Sequence, residues 1–254
     1  MTKRTINLLW TGGLDSTCRV AELSLHDVIV QPYYIIDKKR SSTKYELRAI
    51  SRITDMVRRK DTTKCDLRDV IIVDIESIPP MEDISAASLK LSKKYHIGTQ
   101  YEWLARFARQ KGLTMELGLQ KSPRGKSYNA IIGESTLIED NRDGIIQLRI
   151  DKEKSSKEIS LVFGDMLFPM PMFDMEKPEE VAEMRKMGLD DLIPETWFCH
   201  RPVFGLPCGY CSPCDDALNE DMAYRVPMSG RVLGTIRRIT YDPFWKILRK
   251  MQHK

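Results

Sequence analysis

Two short stretches concentrate the residue types that do chemistry. Near the start, Thr11-Gly12-Gly13-Leu14-Asp15-Ser16-Thr17 follows an apolar run and opens a segment expected to be helical from about Ser16. Adjacent glycines let the backbone turn and let a ligand approach where a side chain would clash. The N–H groups of such a turn and of the first helical residues converge on one spot, where the helix dipole also favours negative charge. Hydroxyls on Thr11, Ser16 and Thr17 add donors for phosphate oxygens, and Asp15 suits a helix cap or a magnesium ligand. All seven residues are therefore candidate nucleotide contacts, with Asp15 and Ser16 the candidate catalytic pair. Far along the chain, Cys199, Cys208, Cys211 and Cys214 are spaced C-x8-C-x2-C-x2-C. Four thiolates so close can close a tetrahedral structural zinc site. Iron–sulfur ligation competes with zinc, and His200 adjoins the first thiol and could replace it. Cys18 and Cys65 stand alone and read as small core residues.

The elements that must position these residues alternate. TINLLW at 5–10, VIVQPYYII at 28–36, VIIVDI at 70–75 and TMELGL at 114–119 are short, apolar, strand-like runs. Between them, Leu47, Ile50, Ile53 and Val57, and later Tyr101, Leu104, Ala105 and Ala108, fall at helical spacing. Fully apolar strands alternating with amphipathic helices predict an α/β fold, a parallel sheet with helices on both faces. Over about 129–164 the runs AIIGESTLIE, GIIQLRID and EISLVF, separated by polar stretches, predict a small antiparallel β insertion. A proline-opened helix is expected from Pro178 to Met187. A terminal helix is expected from Asp242, with Phe244, Ile247, Leu248 and Met251 on one face.

Composition sets the class. With 254 residues, 42% hydrophobic and 30% charged, the chain can bury a sizeable core. It contains no apolar run of about 18 residues, and its start lacks a cleavable leader pattern, so a cytoplasmic protein with no membrane partner is expected. The net charge of +4 is small, but Arg231, Arg237, Arg238, Lys246, Arg249, Lys250 and Lys254 stand against Asp242 alone. Such a tail is expected to be the solvated face of a docked helix, and nucleic acid is not the expected partner.

The string T-G-G-x-D-S-T is neither a Walker A loop nor a dinucleotide fingerprint. It resembles the S-G-G-x-D-S loop of the PP-loop ATP pyrophosphatases, which have the adenine nucleotide α-hydrolase-like fold. The stretch from Phe168 to Cys214 is similar to the C-terminal third of the 7-cyano-7-deazaguanine synthase family. The matching positions are Pro171, Lys177, Glu195-Thr196-Trp197-Phe198-Cys199 and Pro207-Cys208-Gly209-Tyr210-Cys211-Ser212-Pro213-Cys214. The resemblance implies a PP-loop ATP-binding domain over 1–190 and a zinc module with a basic helix over 191–254. It also implies ATP, Mg2+ and Zn2+ as cofactors, and adenylation of a deazapurine carboxylate that ammonia or another amine then attacks. Three substrate-side segments of the family read differently here, as Ile36–Arg40, Thr99–Trp103 and Lys121–Lys126. An altered acceptor is therefore expected, such as an amine on a partner protein, and the chain resembles the divergent relatives found in bacterial antiviral gene clusters more than the housekeeping enzyme. The terminal helix is expected to pack on the body of the protein or on a second copy, as in a homodimer. The competing readings are a PP-loop tRNA-modifying thiolase and a non-catalytic nucleotide sensor.

Overall fold

The computed structural model describes residues 3–122, 125–219 and 222–252, with side chains as far as Thr240. Two compact units are present: Met1–Asp37 with Leu47–Thr196, and Lys38–Glu46 with Trp197–Lys254. The first unit is α/β. Its strands are β1 (Thr5–Leu9), β2 (Ile29–Ile36), β3 (Asp66–Leu67), β4 (Ile71–Asp74), β5 (Met115–Leu117), β6 (Leu137–Arg142), β7 (Ile145–Ile150) and β8 (Met166–Pro169). The α-helices of the described residues before the four-cysteine cluster are α1 (Leu14–Ser24), α2 (Thr43–Arg59), α3 (Glu82–Tyr95), α4 (Gln100–Lys111), α5 (Lys126–Glu134), α6 (Lys157–Phe163) and α7 (Lys177–Lys186).

The strands form one sheet in the order β3-β2-β1-β5-β8-β7-β6, with β4 also beside β2. Pairings from β3 and β4 across to β8 are parallel; β8–β7 and β7–β6 are antiparallel. Ile6, Leu8, Leu9 and Trp10 are all buried, because a central parallel strand is covered on both faces. The lane beside β2 breaks between Leu67 and Ile71 for a local reason. The Arg68 N–H donates to the Val30 carbonyl, whereas the Tyr33 carbonyl accepts from Trp10 in the loop after β1. Even-numbered residues of β2 therefore face the broken lane, and Pro32, which has no N–H, falls in the gap. The Gln31 side chain bridges it by donating to the Asp69 carbonyl at 3.1 Å.

The stretch over 129–164 differs from the expected three-strand insertion. Only β6 and β7 form a hairpin, and β7 continues the main sheet through β8. The flanking runs are helical: AIIGE closes α5, and EISLVF lies in α6, where the Ser156 hydroxyl caps by accepting from the Ile159 N–H. Ile159, Val162 and Phe163 are buried at helical spacing, and seven residues were too short a window to separate that period from an alternating one. The terminal helix also differs. Instead of starting at Asp242, helix α9 runs unbroken over Met228–Gln252. The apolar row Met228, Val232, Ile236 and Ile239 already has helical spacing upstream of Asp242. The side chains of Phe244, Ile247, Leu248 and Met251 lie outside the described residues.

The crossovers place β2 on one side of β1 and β5 on the other, so the winding reverses between β1 and β5. That reversal opens a crevice at the carboxyl ends of the strands. Helix α1 is tied across it from below. Arg19 and Glu116, both fully buried, meet through Nε–Oε2 at 2.7 Å and Nη2–Oε1 at 2.5 Å. Arg19 Nη1 also lies 2.8 Å from Glu22. Burial alone would lower the Arg19 pKa, but Glu116 outweighs it and holds the guanidinium above its usual range. The Gln147 amide donates to Glu116, and Arg4 donates to Gln147 at 2.6 Å, which extends the network from α1 and β5 to β7. Replacing one member strands a buried charge. Arg19→Met should destabilise the protein by about 3–5 kcal/mol, and adding Glu116→Gln should restore much of that. Urea unfolding checks this: a single variant that melts with the parent would show that the pair is dispensable.

Candidate functional site

The first candidate site is the loop between β1 and α1. Gly12 takes a left-handed backbone with φ +70°, a conformation that favours glycine. Gly13 does a different job: its backbone is extended, φ −76° and ψ 168°, and it is the N-cap of α1 without any side-chain cap. The first helical bond there is the Thr17 N–H to the Gly13 carbonyl at 3.0 Å. The N–H groups of Leu14, Asp15 and Ser16 precede it and have no partner within the helix. They are the donors that the glycine pattern singles out.

Across the crevice, Gly118 follows β5. A Cβ on Gly118 would lie 3.0 Å from both Cα and N of Ser16, so a side chain there would press on the first turn of α1, and glycine lets the end of β5 sit this close. Two residues on, Gln120 Oε1 is buried and has no hydrogen-bond partner among the described residues. An acceptor so placed suits a ligand donor. Neither residue stood out in the sequence, although a glycine directly after an apolar strand was the available signal.

The seven loop residues divide by environment. Thr11 is exposed, whereas Leu14 is buried in the core. Thr17 is fully buried and its hydroxyl oxygen accepts from Trp10 Nε1 at 3.1 Å, so it braces the loop from within. Ser16 is 6% exposed, with Oγ 3.5 Å from the Gly13 carbonyl. Asp15 forms an ion pair with Lys177, the first residue of α7, and Lys177 Nζ lies 3.8 Å from the buried Glu180. A lysine more than 160 positions away in sequence thus reaches the glycine loop. Of the three altered segments, Thr99–Trp103 opens α4. Ile36 ends β2, and within Lys121–Lys126 the residues Pro123 and Arg124 lie outside the described residues.

The second candidate site lies in the other unit, which also contains α8 (Ser212–Asn219) and α9. Cys199, Cys208, Cys211 and Cys214 are all buried, and their sulfurs lie within 4.8 Å of one another. Two sulfur pairs, Cys199–Cys211 and Cys208–Cys214, are 3.9 Å apart. A tetrahedral ion with metal–sulfur bonds of 2.3 Å needs an edge of about 3.8 Å, so the group can hold one metal ion such as zinc. A multi-iron cluster with its own sulfides needs more room than this. The set is complete without His200, whose burial lowers its pKa. Backbone N–H groups supply the outer shell: Cys208 donates to Cys199 Sγ at 3.2 Å, and Cys211 to Cys208 Sγ at 3.4 Å.

The knuckle is braced by α9 at van der Waals limits. A Cβ on Gly209 would lie 2.0 Å from the Gly230 carbonyl oxygen, one on Gly230 2.3 Å from the Pro207 oxygen, and one on Gly234 2.1 Å from the Gly209 oxygen. Arg238 donates to the Gly209 carbonyl at 3.1 Å and to Asp215 at 2.8 Å. Arg237 sits 4.3 Å from the Tyr210 ring.

No protein-family model matches the chain, and no curated protein matches it. Fold and sites define it as an α/β protein with a glycine loop at its topological switch and, in the other unit, a four-thiol knuckle that could hold a metal ion. No helix of the described residues is long and apolar enough to cross a membrane.

Without metal, the four sulfurs cannot all carry charge. Hydrogen bonds from Cys199 and Cys214 push the Cys211 thiol down, while its contact with Cys211 pushes Cys199 up to about 12 and Cys214 also rises. Loading a metal must therefore release protons, and affinity must fall as pH falls. Metal analysis should find about one ion per chain, and a dye-buffered titration should register the released protons. Cys211→Ser should abolish loading and lower stability. Iron with labile sulfide would contradict the single-ion geometry.

Proposed function

We infer that this protein is an ATP-using enzyme of the PP-loop kind that activates a carboxylate and passes the acyl group to a nitrogen nucleophile. The observation that carries this reading is the uncapped N-terminus of α1, turned by Gly12, set at the sheet's switch point and met there by Lys177. Backbone donors of Leu14, Asp15 and Ser16 with a lysine beside them suit a polyphosphate. Ser16 is placed to add its hydroxyl, and the partly exposed Asp15 carboxylate would help to hold a magnesium ion. The zinc expected in the four-thiol knuckle is structural, because all four tetrahedral positions are filled by cysteine.

The residues from Phe168 to Cys214 that resemble 7-cyano-7-deazaguanine synthase support a 7-deazaguanine carboxylate as the acid. In that chemistry a carboxylate oxygen attacks the α-phosphorus of ATP and pyrophosphate leaves. An amine then attacks the acyl carbon, AMP leaves with the carboxylate oxygen, and the nitrogen loses a proton to give an amide. Helix α1 and Lys177 act on the first step by neutralising the charge that develops on the departing pyrophosphate. The three altered segments favour an amine other than ammonia, such as one on a partner protein. An RNA-modifying thiolase is less well supported, because Arg231, Arg237 and Arg238 are engaged inside their own unit.

Gly13 gives the cleanest test, because its extended backbone suits any residue and a substitution there adds bulk without backbone strain. Gly13→Val should weaken ATP binding at least about 10-fold in calorimetry with an unchanged far-UV spectrum. Lys177→Met should slow pyrophosphate release by about 100-fold, the scale of losing one transition-state donor. ATP affinity that survives both changes would make the loop a turn and nothing more. With 7-carboxy-7-deazaguanine and ammonium present, AMP formation supports the acid; efficient release of free nitrile would refute the altered acceptor.

A further inference from the structure

One turn of the second unit is strained and exposed at once. Between the first two cysteines of the knuckle, Val203 and Leu206 exchange both backbone hydrogen bonds at 3.0 Å, which closes a two-residue hairpin over Phe204 and Gly205. Phe204 has φ +48° and Gly205 φ +84°. Two positive φ values define a type I′ turn, whose first position favours asparagine and disfavours a bulky side chain. Burial does not compensate, since Phe204 is 101% exposed and Leu206 beside it 48%. Backbone strain of this kind persists where the surroundings impose it, and it gathers at functional positions. Here the surroundings are firm. Tyr45 Oη lies 3.7 Å from where a Cβ on Gly205 would stand. Tyr45 stacks on Trp197 with ring centroids 4.6 Å apart, and Trp197 donates to the Cys199 carbonyl at 2.7 Å. Pro202 and Pro207 stiffen the two ends of the hairpin. Phe204 is therefore a rigid apolar knob.

The surface that carries the knob is basic. No Asp or Glu occurs from Trp197 to Cys214, and Arg201 is exposed just before the hairpin. The Ser41 hydroxyl donates to the His200 carbonyl at 3.1 Å, which brings the segment Lys38–Glu46 alongside. Its exposed Lys44 stands 4.9 Å from the Tyr45 ring, and its only acid, Glu46, is buried and held by Arg40 at 2.9 Å. We propose that Phe204 plugs an apolar pocket rimmed by acidic side chains on a different protein. The charge of the surface selects an acidic partner, and the strain selects a shaped receptor. A fluid bilayer gains nothing from a ring held in one position, whereas a pocket binds a preorganised knob more tightly. A nucleic acid would meet the cations, but its bases stack on flat rings, and the neighbours of Phe204 are aliphatic: Leu206 and the two prolines. An aromatic anchor in a pocket with a charged rim is the usual centre of a protein interface. The proposal rests on this unit alone and holds whatever reaction the glycine loop carries out.

Phe204→Asn gives the turn its favoured residue, so the urea midpoint of the full, metal-loaded chain should rise while partner binding is lost. A lower midpoint would show that Phe204 serves the fold and would overturn the proposal. The partner is sought with the photo-cross-linker p-benzoylphenylalanine at position 204, irradiated in cells of the protein's own host. The same group at Tyr224, which is 65% exposed in the same unit, is the control. One protein should cross-link from 204 and not from 224, through a segment with Asp or Glu beside the linked residue. Purified, that protein should bind the parent chain, lose at least about 30-fold in affinity for Phe204→Asn, and bind more weakly as salt rises. Cross-links to nucleic acid or lipid alone, no protein linked from 204, the same products from both positions, or a purified pair indifferent to Phe204→Asn would each overturn the proposal.

Discussion

The buried pair of Arg19 and Glu116 sets the geometry on which the candidate crevice depends. Arg19 lies three residues after Ser16, less than one turn along α1, and Glu116 lies two residues before Gly118. Fixing these two side chains bidentately fixes the distance between the first turn of α1 and the end of β5. That is also where a Cβ on Gly118 would come within 3.0 Å of Ser16. An apolar pair of equal volume could be as stabilising, since burying two charges costs much of what their attraction returns. It would not specify rotation and register as a planar fork on a carboxylate does. The extension through Gln147 to Arg4 places the hairpin strand β7 under the same constraint, so the antiparallel addition is part of the sheet's framework.

Much of this was legible in sequence where a residue type has only one physical use. Four closely spaced cysteines assemble as their spacing implies, and the glycine loop follows a strand and opens a helix. The alternation of apolar strands and amphipathic helices gave the mostly parallel sheet. Where two periods compete over a short window, reading failed. EISLVF is apolar enough for a strand, and its helix is decided by the cap at Ser156 and by packing of Ile159, Val162 and Phe163, a spacing too short in sequence to outweigh the apolar run. Helix α3 escaped notice because two of its four buried residues, Ala87 and Ser88, are small and thin the apolar stripe that Ile84 and Leu91 would otherwise mark. Pro243 suggested a helix start, yet α9 passes through it.

The glycines show the same limit from another side. Gly12 and Gly13 look equivalent in sequence, but only Gly12 needs the left-handed conformation. Gly230 and Gly234 sit inside a helix, where glycine costs about 1 kcal/mol relative to alanine. Their reason lies in another loop: the carbonyls of Pro207 and Gly209 fill the space that two Cβ atoms would need. The thiols of the knuckle were therefore readable from spacing, whereas the helix that braces it could be recognised only from close approach in space.

Lys177 presents an electrostatic problem whose solution bears on the proposed chemistry. It is the first residue of α7 and stands beside the start of α1, two places where helix dipoles disfavour a positive charge. Neither packing nor capping needs a lysine there, since the cap of α7 is made by Glu176 and Glu179. Its cation is held instead by Asp15, with Glu180 at 3.8 Å. These carboxylates offset locally what a bound anion would offset more strongly, as both helix ends and the lysine would then face the same negative charge. For the proposed polyphosphate the arrangement would be preorganised: the donors of α1 and the ammonium already stand together, and little would have to move on binding.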